Sequence, residues 1–212
     1  VSEAESFRSY GGVPVAHRRD ERRARFIEAA LTVFAAQGYA HSTVADVCAA
    51  AGLSKRQFYE QFANAEELLL ATYDKIQADA RATVQQALAE LQTEDIRQVV
   101  ATAITAFLTY IESDSRRARV SFVEIVGVSE RVEQHRLDDR KHWSLLIKVA
   151  AEATIGPNAE PPSGYSLTAT AFIGSLYAVV HEWSLTEPRP PVADLVELLT
   201  RVLIALIAPT AG

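Results

Sequence analysis

Three helix-start signals follow one another between residues 43 and 67, and they constrain the fold more than any other feature of the chain. Thr43 with Asp46, Ser54 with Gln57 and Asn64 with Glu67 each place a capping side chain three residues before an acid or amide. In such a box the first side chain accepts from the N3 amide, and the third residue reaches back to the amide of the cap. Two short helices and the start of a longer one are therefore expected, set apart by tight turns. Between the first two lies Ala51-Gly52-Leu53-Ser54, where a small residue followed by glycine permits a sharp turn. Leu53, Phe58 and Phe62 are expected to point inward. Lys55, Arg56, Gln57, Tyr59 and Gln61 are then left on the outer face.

The rest of the chain repeats helical spacing, and no stretch alternates as a strand would. Ile27, Ala30, Leu31 and Phe34 fall at i, i+3, i+4 and i+7, which predicts a helix from about Asp20 to Gln37 that ends at Gly38. Val44, Val47, Cys48 and Ala51 repeat the pattern until Gly52. Further helices are expected over Lys55–Gln61, Ala65–Leu91, the stretch marked by Ile96 to Ile111, Ala118–Val128, Val132–Thr154, Ser166–Thr186 and Val192–Ala208. The runs GPNAEPPSG (156–164) and EPRPP (187–191) interrupt them, because Pro and Gly cannot continue a helix there. The expected class is all-α: a helix-turn-helix head and a C-terminal helical bundle. The boundaries drawn are a flexible arm at 1–18, a head at 19–75 with the helix-turn-helix at 43–62, and a body at 76–212.

Net charge is −6, which by itself argues against a nucleic-acid partner. Its distribution argues the other way. Residues 13–63 carry seven Lys/Arg against five acids, whereas residues 64–212 carry 13 against 20. A mildly basic head on an acidic body suits a protein that touches phosphates at one end. A single cysteine, Cys48, excludes an intrachain disulfide framework or thiolate zinc site, so a reducing, cytoplasmic setting is expected. Apolar runs such as Val202–Ala208 are too short for a membrane span, and the acidic N-terminus does not resemble a signal peptide. Arg outnumbers Lys by 17 to 4, pointing to a GC-rich bacterial genome.

A helix-turn-helix presents the N-terminal end of its second helix to the major groove. Lys55 and Arg56 suit phosphates or guanine edges, Gln57 suits adenine, and Tyr59 and Gln61 suit phosphate oxygens. The bland alternative is a helical hairpin with a solvated polar face. The run TVADVCAAAGLSKRQFYEQFANAEELLLATYD, preceded by FIEAALTVFAAQGY, resembles the DNA-binding domain of the TetR family over roughly Arg19–Lys75. That resemblance implies Thr43 and Tyr59 at the phosphate backbone and Lys55–Gln57 near bases. It also implies an all-helical homodimer whose larger domain senses a small molecule. One position departs: where the family carries Lys after the third helix, this chain has Ala65. Either one phosphate contact is missing or Asn64 and the neighbouring helix amides take it over; the Arg18–Arg25 cluster, with Arg18 and Arg22 in the expected set, compensates for it or is a solvated helix start. With Ser54 these residues complete the expected DNA-binding set.

The body carries no phosphate loop and no nucleophile elbow, and His181-Glu182-Trp183 lacks the second His of a zincin. His135, Asp139 and His142 fall at i, i+4 and i+7, a spacing that could hold a metal but more commonly forms a solvated face. No catalytic activity, metal or cofactor is expected. Phe107, Tyr110, Phe122, Glu124, Trp143, Tyr177, His181 and Trp183 are the candidates to line a ligand pocket, with plain core packing as the competing role of each. Phe172, Leu176, Leu195, Leu199, Val202 and Leu206 are the expected dimer interface, with burial inside one chain as its alternative. The expected function is a homodimeric repressor, released from an operator in double-stranded DNA by a largely apolar effector. Its rivals are a helical metal- or small-molecule-binding protein and a protein-interaction adaptor, each with an unused helix-turn-helix.

Overall fold

The computed structural model describes residues 15–156, 160–161 and 163–207. Among these are nine α-helices and no strand: α1 Val15–Gln37, α2 Val44–Ala51, α3 Lys55–Tyr59, α4 Ala65–Glu90, α5 Ile96–Glu112, α6 Ser115–Arg119, α7 Glu130–Ile155, α8 Gly164–Leu185 and α9 Val192–Ile207. The class is all-α, as expected. Three boundaries differ. Helix α1 begins at Val15, so residues 15–18 of the expected arm are helical; residues 1–14 lie outside the described residues, as do 157–159 and 162 of the Pro/Gly loop and Ala208. Helix α3 ends at Tyr59, short of Gln61. The expected helix over 118–128 is replaced by α6 and a wide π-helical turn at Val120–Glu124. Asp114 starts α6 early by accepting from the Arg116 amide at 3.1 Å, and the wide turn carries Val120, Ser121 and Phe122 into the interior.

The chain divides into two compact units, Val1–Thr72 and Tyr73–Gly212. In the first, α1 packs on α2 and α2 on α3. Phe26, Phe34, Val47, Phe58 and Phe62 are buried, and the Phe26 ring meets Phe58 and Phe62 edge-on at 5.5 and 6.2 Å. Burial of each such side chain contributes about 1.5–3 kcal/mol. Gly52 closes α2 in the left-handed conformation at φ 62°, where an L side chain is strained. A Cβ there would also come within 3.2 Å of Arg25 Nη2. That guanidinium reaches from α1 to donate to the Ala51 carbonyl at 2.6 Å, so it covers one of the orphan carbonyls at the end of α2.

In the second unit α5 packs chiefly against α9, and α7 against α8. Four of the six residues expected at a dimer face are taken up by the chain's own core. Phe172, Leu176, Leu195 and Leu199 are buried within the single chain, while Val202 and Leu206 are half-buried. On α9 the buried row is Leu195, Leu199, Leu203 and Ile207, one residue every four, and it belongs to the unit's own core. Helix α9 is apolar around most of its circumference, and such a helix does not declare which of its faces meets its own chain.

Candidate nucleic-acid interface and body cavity

The α2–turn–α3 segment is built from the caps upward. Thr43 Oγ1 accepts from the Asp46 amide at 3.2 Å, and Asp46 Oδ2 accepts from the Thr43 amide at 2.8 Å. The Thr43 hydroxyl, which also donates to Asp46 Oδ2 at 2.6 Å, and the Thr43 amide hold the Asp46 carboxyl below the usual carboxylate range. Ser54 Oγ accepts from the Gln57 amide at 3.2 Å, and Gln57 Oε1 accepts from the Ser54 amide at 2.9 Å. The third cap is offset. Asn64 Oδ1 accepts from the Glu67 amide at 2.9 Å, but Glu67 Oε2 takes the amide of Ala63, at 2.7 Å, instead of that of Asn64.

Helix α3 turns Phe58 inward and leaves Lys55, Arg56 and Tyr59 exposed, with Tyr59 at 59%. Arg56 Nε lies 3.2 Å from Glu60 Oε1, one turn on. Gln57 is half-buried. Its carbonyl half is engaged in the cap, and bidentate reading of adenine needs both halves of the amide, so that contact would require the cap to open. Gln61, expected on the outer face, is only 9% exposed. Helix α3 has ended before it, and its carbonyl is held by Arg23 Nη1 at 3.2 Å.

Arg18 and Arg22 on α1 are half-exposed, and Arg22 Nε is buried without a hydrogen-bond partner. Arg23 stacks over the Phe62 ring at 4.4 Å and Arg25 caps α2. Two arginines of the cluster thus brace the head internally, a role the charge count could not show. Ala65 opens a helix whose first turn carries Glu66 and Glu67, so no basic side chain stands in the first turn of α4. The buried Cys48 thiol is pushed up by burial.

The second unit encloses an apolar cavity of about 90 Å³ between α4, α5, α7, α8 and α9. Phe107, Trp143 and Tyr177 of the expected pocket set line it, together with Phe172 and Leu176. The other candidates have different occupations. Phe122 packs on the Tyr177 ring at 4.7 Å. Tyr110 lies under Arg117 at 4.1 Å, and burial pushes its pKa up to about 12. Glu124 pairs with Arg119 at 2.6 Å. Trp183 donates to the Pro190 carbonyl at 2.7 Å, and His181 is exposed. Gln77, Val84 and Leu88 of α4 line the cavity without having been singled out. The available signal was Gln77 interrupting the apolar row Tyr73, Gln77, Ala80, Val84, spaced four, three and four.

Among the residues with metal-like spacing, Asp139 is buried and paired with Arg81 at 2.7 Å, and His135 Nε2 lies 2.5 Å from Asp74. No group of three or more potential ligands exists among the described residues. No described helix is long and apolar enough to cross a membrane.

Two short capped helices joined by a glycine turn, with a cationic outer edge on the second, form a helix-turn-helix. Residues 26–72 match the model of "Bacterial regulatory proteins, tetR family". Over these residues the chain is similar to the DNA-binding domain of that family. It is 36% identical over 104 residues to the HTH-type transcriptional activator FasR of Mycolicibacterium smegmatis, covering 49% of this chain and 47% of that protein. It is 37% identical over 95 residues to the HTH-type transcriptional regulator CymR of Pseudomonas putida, covering 44% and 47%. The chain thus spans about half the length of these curated relatives. Among solved structures, FadR of Bacillus subtilis, in complex with stearoyl-CoA, superposes with a TM-score of 0.72 at 20% identity, covering 87% of this chain and 97% of that one. The fatty acid degradation regulator FadR of Bacillus halodurans gives 0.74 at 16% identity, over 97% and 100%. At these identities the likeness is one of fold.

Proposed function

We propose that the chain is a homodimeric, sequence-specific DNA-binding repressor released from its operator by a small molecule held in the body. The observation that carries this reading is the exposed edge Lys55, Arg56 and Tyr59 on a helix pinned by the Ser54–Gln57 cap, within a domain of this family. The N-terminal end of α3 enters the major groove, where Lys55 and Arg56 meet base edges or phosphates. Thr43, Ser54 and Tyr59 hold the backbone. Gln61 leaves the contact set because it is buried. Arg18 and Arg22 supply cations that the acidic first turn of α4 lacks, and Asn64 contributes little beyond its cap.

The dimer is built on the outer faces of α8 and α9. Leu167 and Leu198 are 64% and 42% exposed there, and Ala171, Gly174 and Ala178 form an exposed row of small residues on α8. A Cβ at Gly174 would meet nothing within 4 Å, so a partner helix can approach closely. Replacing Gly174 with Arg should convert the dimer to monomer in analytical ultracentrifugation without lowering helix content; an unchanged dimer would move the interface elsewhere. Two heads joined in this way reach successive major grooves about 34–36 Å apart.

The body cavity supports a small-molecule effector, as does the stearoyl-CoA complex of FadR, which shares the fold. To lower occupancy the effector must bind the released state more tightly than the DNA-bound state. A mobility-shift assay on the DNA upstream of the chain's own gene tests the core of the proposal. A sequence-selective shift that weakens with salt is expected; no selective binding there or in a genomic selection overturns it. FasR is named an activator, so a promoter–reporter fusion decides the direction. Expression that rises when the gene is deleted supports repression.

A further inference from the structure

Gln77 stands in the wall of the body cavity and is 2% exposed. Trp143 Nε1 donates to its Oε1 at 3.1 Å. An indole N–H can only donate, so this bond decides which way round the amide sits. The other half of the amide, Nε2, is buried and has no hydrogen-bond partner. The remaining buried orphan atoms, on Arg22, Ser121, Arg136 and Thr200, belong to residues that do not line the cavity.

The other polar groups on the wall are engaged. Tyr177 Oη lies 3.2 Å from Tyr73 Oη, and the Trp143 N–H is held by Gln77 itself. The described lining holds no Lys, Arg, His, Asp or Glu. Val99, Ile104, Phe107, Phe172, Leu203 and Ile207 make up much of the rest. A charged ligand head would lose its hydration with no counter-charge in the wall. An unpaired amide N–H is likewise costly to bury, and an acceptor on a ligand removes that penalty.

We propose that Gln77 Nε2 is the recognition donor for the effector. The effector is then a neutral, mainly apolar molecule carrying a hydrogen-bond acceptor, such as the carbonyl oxygen of a ketone, ester or amide. Trp143 is the positioning residue that keeps Nε2 forward. This rests on the reading of the body as the effector domain, and it names the ligand class of that site.

Calorimetric titration of the full chain with acetophenone, ethylbenzene and benzoate tests it, because the three are similar in size and differ in acceptor and charge. Acetophenone should bind about tenfold more tightly than ethylbenzene, equivalent to about 1.4 kcal/mol, and benzoate more weakly than either. In Gln77→Leu the preference for acetophenone should fall to about onefold while ethylbenzene binding persists. Trp143→Phe, which lets the amide turn round, should reduce the preference as well, and it serves if Gln77→Leu does not fold. Equal affinities in the natural chain, as if Nε2 held only a buried water, overturn the proposal. So do tighter binding of benzoate, an unchanged preference in the folded variants, or no binding of any of the three. The mobility shift is run on the same preparation. A chain that shifts its operator but fails the titrations loses only the effector class. One that passes them without binding DNA loses only the regulator reading.

Discussion

The two units solve opposite problems with polar groups. In the first, the cap bonds at Thr43 and Ser54 close within three residues and leave the cations of α3 in water. In the second, polar groups from distant helices meet in the interior. Arg81 of α4 pairs with Asp139 of α7 at 2.7 Å, and burial pushes the Tyr73 and Tyr177 hydroxyls upward. Gln77 is left with one hand empty. A surface fixed by local bonds keeps its shape without help from the rest of the chain, which suits the reading head proposed above. A core holding a polar layer and an apolar cavity changes its energy when something enters, which suits a sensor.

The contrast can be broken at its strongest point first. Phe58→Ala removes the ring that Phe26 and Phe62 pack against and should cost the first unit about 3–5 kcal/mol. Hydrogen exchange should report the loss within residues 1–72. Equal loosening of residues 73–212 would mean that the two units do not open separately. Next, Arg81→Met leaves the buried Asp139 carboxylate with only the exposed His142 ring, 3.5 Å away, beside it and should destabilise the chain by about 3 kcal/mol. Glu60→Ala, which breaks the exposed pair with Arg56, should change stability by less than about 1 kcal/mol. Urea unfolding of the two variants compares the units directly, and similar losses would erase the distinction drawn between them.

The double variant Arg56→Ala, Tyr59→Ala should lower operator affinity by about 100-fold, or about 2.7 kcal/mol, with helix content and dimerisation intact. Both side chains are exposed, so a folding defect would contradict the placement of α3. The smallest effect is expected at the cap. Thr43→Ala should cost about 1 kcal/mol. Asp46 has a depressed pKa in the folded chain, so its contribution is full above its unfolded pKa and is lost as pH falls through the folded value. Without the Thr43 hydroxyl, the acid limb of the stability curve should flatten; an unaltered limb would show that Asp46 does not titrate through this bond.

Legibility followed the range of the interactions. The Thr43 and Ser54 boxes were readable because donor and acceptor are three residues apart. The Asn64 box was half-readable: its first bond forms, while Glu67 selects the amide one residue earlier. Gln61 was assigned to the outer face by extending the helical period two residues beyond Tyr59, and the period had already stopped. Among the pocket candidates, Phe107, Trp143 and Tyr177 face the cavity, whereas Tyr110, Glu124 and Trp183 are taken up by Arg117, Arg119 and Pro190. Residue type alone does not separate these cases, since an aromatic ring fills a core or a pocket wall equally well.

By itself the sequence determined the all-helical class, the capped helix-turn-helix and the likeness of that segment to the TetR family, because these depend on periodicity and on bonds between near neighbours. Only the tertiary structure decided which row of α9 is core, which rings enclose the cavity, and that Gln77 keeps an unused donor there. Each of these depends on what lies opposite a side chain, and the opposing residues come from helices tens of positions away along the chain.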